Sequence, residues 1–366
     1  MKSARSVRIF TGISITTLAI SAISALAFGT VSASITKIDA FAGIDKRPDK
    51  KSSAINYLLV GSDTREGLTK AELKELRVGS VATAAGKRSD TMLLVHISKA
   101  RDKAVLVSIP RDTFALIPAH LNKAGKTIPA VHSKINSAFN WGGAPLLIQT
   151  IEEMTQLKID HYVEVNFAGF ASVIDSLGGI EVCTKKDIDD PKSHLVLPAG
   201  VHTLNGIEAL KYVRTREFDG MGDIGRMQRQ QAFMSSVLKK ATSAGVLLNP
   251  ITMTSFINSS LAAVTTDEGL KNSDLITLAK QMKSLATSSV RTLTVPLSDL
   301  NYYSNGVTAS VLWDPVLAPE LWDRLREDRA VVDEVTASPS PSSTKAAKVE
   351  IVDKFKTRTA DDNICR

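Results

Sequence analysis

An α/β domain with a central sheet is the fold this sequence predicts, and three observations carry it. Short runs rich in Val, Ile and Leu at residues 55–60, 92–97 and 105–109 have the composition of strands buried on both faces. Segments with helical spacing follow at 142–154, 167–177, 207–212, 226–240 and 274–285. Strand-like runs at 162–165 and 180–183 fall between those helices and another at 291–296 follows them, so the two kinds of element interleave.

The first element precedes the domain. Residues 9–36 carry no charge and follow Lys2, Arg5 and Arg8. A spanning helix needs roughly 20 largely apolar residues, and its cationic flank stays in the cytoplasm. Residues 1–8 are therefore a short cytoplasmic N-terminus, 9–34 a signal-anchor transmembrane helix, and the remainder exported, as in a single-pass type II protein of the cell membrane. A cleaved signal peptide is the competing reading, because Val31-Ser32-Ala33 places small residues near a cleavage point. Both readings export the rest.

Residues 35–53 mix Lys, Asp, Pro and Ser and read as a tether; the globular domain occupies 54–335. The runs 92–97 and 105–109 predict a hairpin across Lys99 to Lys103. Gly142-Gly143, with Pro145 inside the first turn, predicts a helix start, with Leu146, Leu147, Ile151 and Met154 on one side. The helix at 167–177 is ended by Gly178-Gly179. In 274–285, Leu275, Leu278, Met282 and Leu285 share a face, and 321–328 predicts a last helix. A Ser- and Pro-rich linker, 336–346, separates the domain from a C-terminal segment, 347–366. The two cysteines, Cys183 and Cys365, predict a disulfide in an exported chain, tying the tail to the body.

Composition narrows the function. With 366 residues and 43% apolar content the chain can bury a sizeable core, as one large domain or two smaller ones. The formal net charge of +7 suits an acidic partner: a membrane surface, an anionic polymer or nucleic acid. Nucleic acid drops out, because only about eight residues precede the span and no helix-turn-helix pattern is present. There is no P-loop, no Gly-x-Ser-x-Gly elbow, no metal-type histidine spacing and no convincing Cys/His pair. A covalent nucleophile is not indicated.

Five arginine-bearing segments remain: Ser62-Asp63-Thr64-Arg65, Arg88-Ser89-Asp90-Thr91, Pro110-Arg111-Asp112-Thr113, Arg214-Thr215-Arg216, and Asp223 with Arg226 and Arg229. Each lies at the edge of an apolar run, where polar tips can converge. Arg214 and Arg216 are two apart, so an extended backbone sends both side chains from one face, as in a clamp where a helix unwinds. Asp223, Arg226 and Arg229 are spaced by three; a helix starting near Gly225 puts the arginines on one face and Asp223 near its positive end. Asp63 and Asp90 beside strand ends are candidate ligands of Mg²⁺, which takes one or two carboxylates plus phosphate oxygens and waters. Arginines with a metal suit a pyrophosphate; surface ion pairing is the plainer explanation of any single segment. Lys134 and Asn136 precede Phe139-Asn140-Trp141, where a substrate entrance or a turn with an aromatic anchor both fit.

Together with Asn56-Tyr57-Leu58-Leu59-Val60-Gly61, Lys134-Ile135-Asn136, Asp175-Ser176-Leu177-Gly178-Gly179-Ile180 and Leu204-Asn205-Gly206-Ile207-Glu208-Ala209-Leu210, these segments resemble the LytR-CpsA-Psr family in order and spacing. The resemblance implies an α/β/α sandwich with a central mixed sheet and an apolar groove, with helices 146–154 and 167–177 as candidate walls. It implies an enzyme of the bacterial envelope, a phosphotransferase that moves a glycopolymer from a polyprenyl-pyrophosphate donor to a peptidoglycan hydroxyl, with Mg²⁺ or Mn²⁺. Carried over by motif, Asp63 and Asp90 hold the metal. Arg65, Arg88, Arg111, Arg214, Arg216, Arg226, Arg229 and Gln230 bind the pyrophosphate. Asp223 orients or deprotonates the hydroxyl, with Arg111, Arg214, Arg216 and Arg226 as its catalytic partners. The cysteine pair and the tail 357–365 resemble the actinobacterial branch. Two other classes stand against the enzyme: a non-catalytic binder of wall polymer or polyprenyl lipid, needing neither Asp223 nor metal, and a transcriptional regulator.

Overall fold

The structure, a computed structural model, describes residues 35–65, 67–76, 89–122, 124–216, 222–241, 243–247, 249–271, 274, 289–304, 306–336 and 349–359. The span predicted at 9–34, Arg88, residues 275–285, residues 337–346 of the linker and Cys365 lie outside them, as do the side chains of Asp90 and Asp223. Among the described residues no helix is long and apolar enough to cross a membrane.

Eight strands form a central mixed sheet: β1 (Thr36–Ile38), β2 (Ile55–Ser62), β3 (Ser89–Ile97), β4 (Ala104–Ile109), β5 (His161–Val165), β6 (Val264–Asp267), β7 (Val290–Thr294) and β8 (Arg358–Thr359). Their order is β1-β6-β5-β2-β3-β4-β7-β8. The predicted hairpin is the β3–β4 pair, running from Met92 opposite Ile109 to Ile97 opposite Ala104. β5 joins β2 and β7 joins β4 in parallel, after long crossovers.

Side chains alternate across this sheet. Leu58, Val60, Met92, Leu94, Val107 and Ile109 face a closed core, filled from α1 (Asn136–Thr155) and α6 (Leu317–Arg326). Over the other face lie α2 (Phe167–Ser176), α3 (Gly206–Arg214) and α4 (Gly222–Ala241), with α5 (Pro250–Ala263) behind α2.

Several expectations change. Residues 36–44 do more than tether: β1 pairs with β6, Ala40 is fully buried, and Phe41 and Ile44 pack on the core. The C-terminal segment adds β8 to the opposite edge. The strand predicted at 180–183 forms, but it pairs antiparallel with Gly200–Leu204 in a separate two-stranded sheet, the chain having turned at Gly178 and Gly179 (φ 73° and 86°). The helix expected to start at Gly142-Gly143 begins at Asn136; Gly143 (φ 66°, ψ −152°) breaks it and Pro145 opens its second half. Phe139 is therefore a buried helical residue rather than the anchor of a turn. α4 starts at Gly222 instead of near Gly225, which places Asp223 in its first turn.

Candidate active site

The arm carrying Arg214 and Arg216 is the most heavily braced part of the site. Its helix, α3, starts with a capping box: Asn205 Oδ1 accepts from the Glu208 N–H at 2.9 Å, and Glu208 Oε2 from the Asn205 N–H at 3.0 Å. Asp175 Oδ1 accepts from the Gly206 N–H at 2.8 Å. A Cβ at Gly206 would collide with the Ala171 backbone, so glycine lets α3 cross α2 at close range. α3 ends at Arg214, and Thr215 turns to extended backbone (φ −60°, ψ 138°), the unwinding expected for a clamp.

Every part of this turn is held. Arg229 Nη2 donates to the Thr215 carbonyl at 2.5 Å, Gln230 Nε2 to the Val213 carbonyl at 3.0 Å, and the Arg216 N–H to the Asp190 carboxylate. Asp190 also accepts from the Lys192 and Ser193 amides at 2.7 and 3.2 Å. Burial pushes the Tyr212 phenol above its ordinary pKa, against the opposing pull of the Arg229 charge, so it stays neutral beneath the arm.

Two adjoining cavities give the site its shape. The larger, about 370 Å³, lies between the sheet and α2, α3 and α4; Leu59, Leu93, Phe167, Phe170, Leu210 and Phe233 line its apolar part, and Lys192, Arg214, Arg216 and Arg226 its charged part. Arg214 stacks over the Phe167 ring, 5.4 Å from its centroid. The smaller, about 210 Å³, holds Arg111 and Asp112. Thr91, Arg226 and Gln230 line both, so the charged groups of the two cavities are contiguous.

Arg111 rides on a turn closed by the Thr113 N–H to the Pro110 carbonyl at 3.0 Å. Asp112 faces Arg111 Nε at 3.4 Å and Lys134 Nζ at 3.1 Å, and the Asn136 N–H donates to the Arg111 carbonyl. Lys134 and Asn136 thus steady the arginine turn. At the neighbouring strand ends, Gly61 pairs with Thr91 and Ser62 with Ser89, which leaves Asp90 as the extra residue of a bulge. Asp63 and Asp90 therefore occupy the same end of two adjacent strands.

The structure brings Arg111, Arg214, Arg216, Arg226 and Gln230 together around one space. Asp63 and Arg65 follow β2 outside the lining of both cavities, and the buried Arg229 braces the arm in place of lining them. Of the two helices proposed as walls, 167–177 supplies Phe167 and Phe170, whereas Leu146, Leu147 and Ile151 belong to the opposite core. Lys192 and Asp190 were missed; Asp189-Asp190-Pro191-Lys192-Ser193, an Asp-led turn, was the signal for them. Among the described residues no three His, Cys, Asp or Glu side chains cluster as a metal site.

The chain matches the LytR_cpsA_psr family model over residues 26–319. It is 36% identical over 276 residues to a probable cell wall biosynthesis protein, LcpB, of Corynebacterium glutamicum, covering 75% of this chain and 62% of that one. It is 35% identical over 204 residues to a polyisoprenyl-teichoic acid–peptidoglycan teichoic acid transferase, TagT, of Bacillus subtilis, covering 54% of this chain and 56% of that one. In both cases the chain spans a little over half the length of the relative. A solved structure of TagT bound to LIIa-WTA is similar with a TM-score of 0.57 at 26% identity, over 79% of this chain and 98% of the other. The family model spans most of the sequence and a relative above 30% identity covers three quarters of it; the chain belongs to the LytR_cpsA_psr family.

Proposed function

We propose that this protein is a membrane-anchored, extracytoplasmic phosphotransferase that moves a glycopolymer from a polyprenyl-pyrophosphate carrier to a peptidoglycan sugar hydroxyl. The observation that carries the reading is the continuity of an apolar chamber with an arginine cluster: Leu59, Leu93, Phe167 and Phe233 on one side, Arg111, Arg214, Arg216 and Arg226 on the other. That is the shape of an amphiphile with a long hydrocarbon tail and a densely anionic head. The relatives named as cell wall biosynthesis and teichoic acid transferase proteins support a wall-polymer transferase.

In the proposed reaction the acceptor hydroxyl attacks the glycan-bearing phosphorus. The bond from that phosphorus to the bridging oxygen breaks, and polyprenyl phosphate leaves. The arginines stabilise the charge on the transferring and leaving phosphates. Asp223, in the first turn of α4, takes the hydroxyl proton. Asp63 and Asp90, on adjacent strand ends with an all-oxygen donor set, fit Mg²⁺ or Mn²⁺, which would supply further charge neutralisation at the phosphates. The helix at 9–34 anchors the chain, and a Cys183–Cys365 disulfide holds the tail; no free cysteine occurs among the described residues.

The test is release of polyprenyl phosphate from a lipid-pyrophosphate glycan by the purified protein with Mg²⁺. Arg111→Ala and Asp90→Ala, checked for intact fold, are expected to lose it, by about 100-fold or more for the arginine. Full activity in both would overturn the site. Lipid retention without release in the wild type would favour the non-catalytic binder.

A further inference from the structure

The uncharged run at 9–36 meets the fold without a spacer. It ends at Thr36, and β1 begins at that residue. Lys37, the first charge after the run, is already bound to the sheet edge, its Nζ donating to Thr266 Oγ1 at 2.9 Å. A span over 9–34 therefore leaves only Ile35 before β1. At about 3.5 Å per extended residue, Thr36 then lies within roughly 10 Å of the apolar layer of the bilayer.

The strand register identifies which end of the domain this is. Thr36 pairs with Thr265, Thr265 with Glu164, and Glu164 with Val60. Ile35 therefore enters from the row of Val165 and Gly61, and both of these line the chamber. Asp63 follows β2 at the same end, and Arg111 follows β4, whose Ile109 faces Met92. Sideways the chamber is also close: β5 and β2 are two and three strands in from β1, roughly 10–15 Å at about 4.8 Å per strand. α5 ends there too, Ala263 lying so near Gly169 of α2 that no Cβ would fit between them.

A tether at one corner allows two postures, strand ends on the membrane or the β1 edge laid flat on it. Charge separates them. Asp39 and Glu268 are exposed at the far end of that edge, where the Glu268 N–H donates to the Ile38 carbonyl at 3.1 Å. Laying the edge flat would press both carboxylates onto anionic headgroups. The strand ends instead present Arg111, Lys192, Arg214 and Arg216, and an anionic lipid surface attracts basic side chains.

We propose that the domain stands on the outer surface of the bilayer on the arginine-bearing ends of its strands, so that a lipid passes from the membrane into the chamber without crossing water. This posture rests on the reading of 9–34 as an anchor and is independent of the phosphotransfer step.

The full chain is reconstituted in nanodiscs of phosphatidylcholine and phosphatidylglycerol. A fluorophore is attached in turn to Ala262→Cys, Glu268→Cys or Ala100→Cys, three exposed positions outside the site. Labelling is done without reductant, because Cys183 is disulfide-bonded, and the unsubstituted chain is the blank. Ala262 sits at the arginine end of the sheet, just before β6. Glu268 lies one length of β6 away, roughly 14 Å at about 3.4 Å per residue, and Ala100 tips the β3–β4 hairpin at the far end. A nitroxide on the lipid headgroup should remove most of the emission from the Ala262 label and leave the other two nearly unchanged. Equal quenching of the Ala262 and Glu268 labels would lay the β1 edge on the membrane. Quenching of the Ala100 label, or of none, would turn or lift the arginine end away. Any of these results, in protein that co-migrates with the discs, overturns the posture and leaves the anchor standing. Protein that does not enter the discs overturns the anchor, and the posture with it.

Discussion

The two faces of the central sheet are built from the same strands and do opposite work. On β2, Leu58 and Val60 enter a closed core, while Leu59 and Gly61, which alternate with them, line the open chamber. On β3, Met92 and Leu94 go to the core and Leu93 to the chamber. Nothing in composition separates Leu58 from Leu59. The difference lies in the helices above: α1 and α6 pack on the sheet in one core, whereas α2, α3 and α4 pack on each other around Ile174, Ala209, Tyr212 and Phe233, with the Asp175 bond and the close crossing at Gly206 joining α2 to α3. The chamber is left open because α2, α3 and α4 bury these apolar residues in a cluster of their own and not against Leu58 and Val60.

The largest expected effect falls on the chamber side. Arg226 is 3% exposed and lines both cavities. On the transferase reading, Arg226→Ala should lower the rate of polyprenyl phosphate release by about 100-fold or more, the scale for losing one preorganised donor. A loss below tenfold in folded protein would separate the two cavities functionally and undo the single-site account.

The next largest sharpens the comparison within one strand. Leu58→Ala should destabilise the protein by roughly 3 kcal/mol, as a cavity in a sealed core does, while KM for the lipid substrate stays put. Leu59→Ala, one residue on, should cost no more than roughly 1 kcal/mol and raise KM instead, since its side chain already borders open space. Urea unfolding and steady-state kinetics on the pair settle it; equal stability losses would mean the chamber side is packed as tightly as the core.

Much of this was legible in the chain. Val-, Ile- and Leu-rich runs located β2, β3 and β4, because a strand covered on both faces must be apolar throughout. Two arginines spaced by two, after a helix, marked where α3 unwinds. The same apolar continuity hid which face is hollow, and so the helix at 146–154 was read as a chamber wall when it fills the core. α5 left no trace, since its Thr and Ser residues blur any stripe. β1 went unread because Thr36–Ile38 is three residues long and its partner strand, β6, is more than two hundred residues away.

The smallest predicted effect belongs to the edge of the sheet, away from both faces, where β6 joins β1 to β5. Asp267 is almost fully buried there. It accepts from the Tyr162 and Leu270 amides, both at 3.0 Å, with His161 Nδ1 at 3.3 Å. Burial alone would raise its pKa, but the bonds from His161 and the two amides outweigh it and leave the carboxyl below its ordinary value. A carboxyl whose pKa is lower in the folded state stabilises fully above the unfolded value, about 3.9, and that contribution is lost as pH falls through the lower folded value. Asp267→Asn should therefore cost about 1–2 kcal/mol at neutral pH. The gap to wild type should narrow as the pH is taken below 4, about where unfolded carboxylates begin to protonate, while lipid binding in the chamber is unchanged. Denaturant midpoints of both proteins at neutral and acid pH decide the matter; a gap that stays constant would mean the carboxylate's charge contributes nothing at this edge.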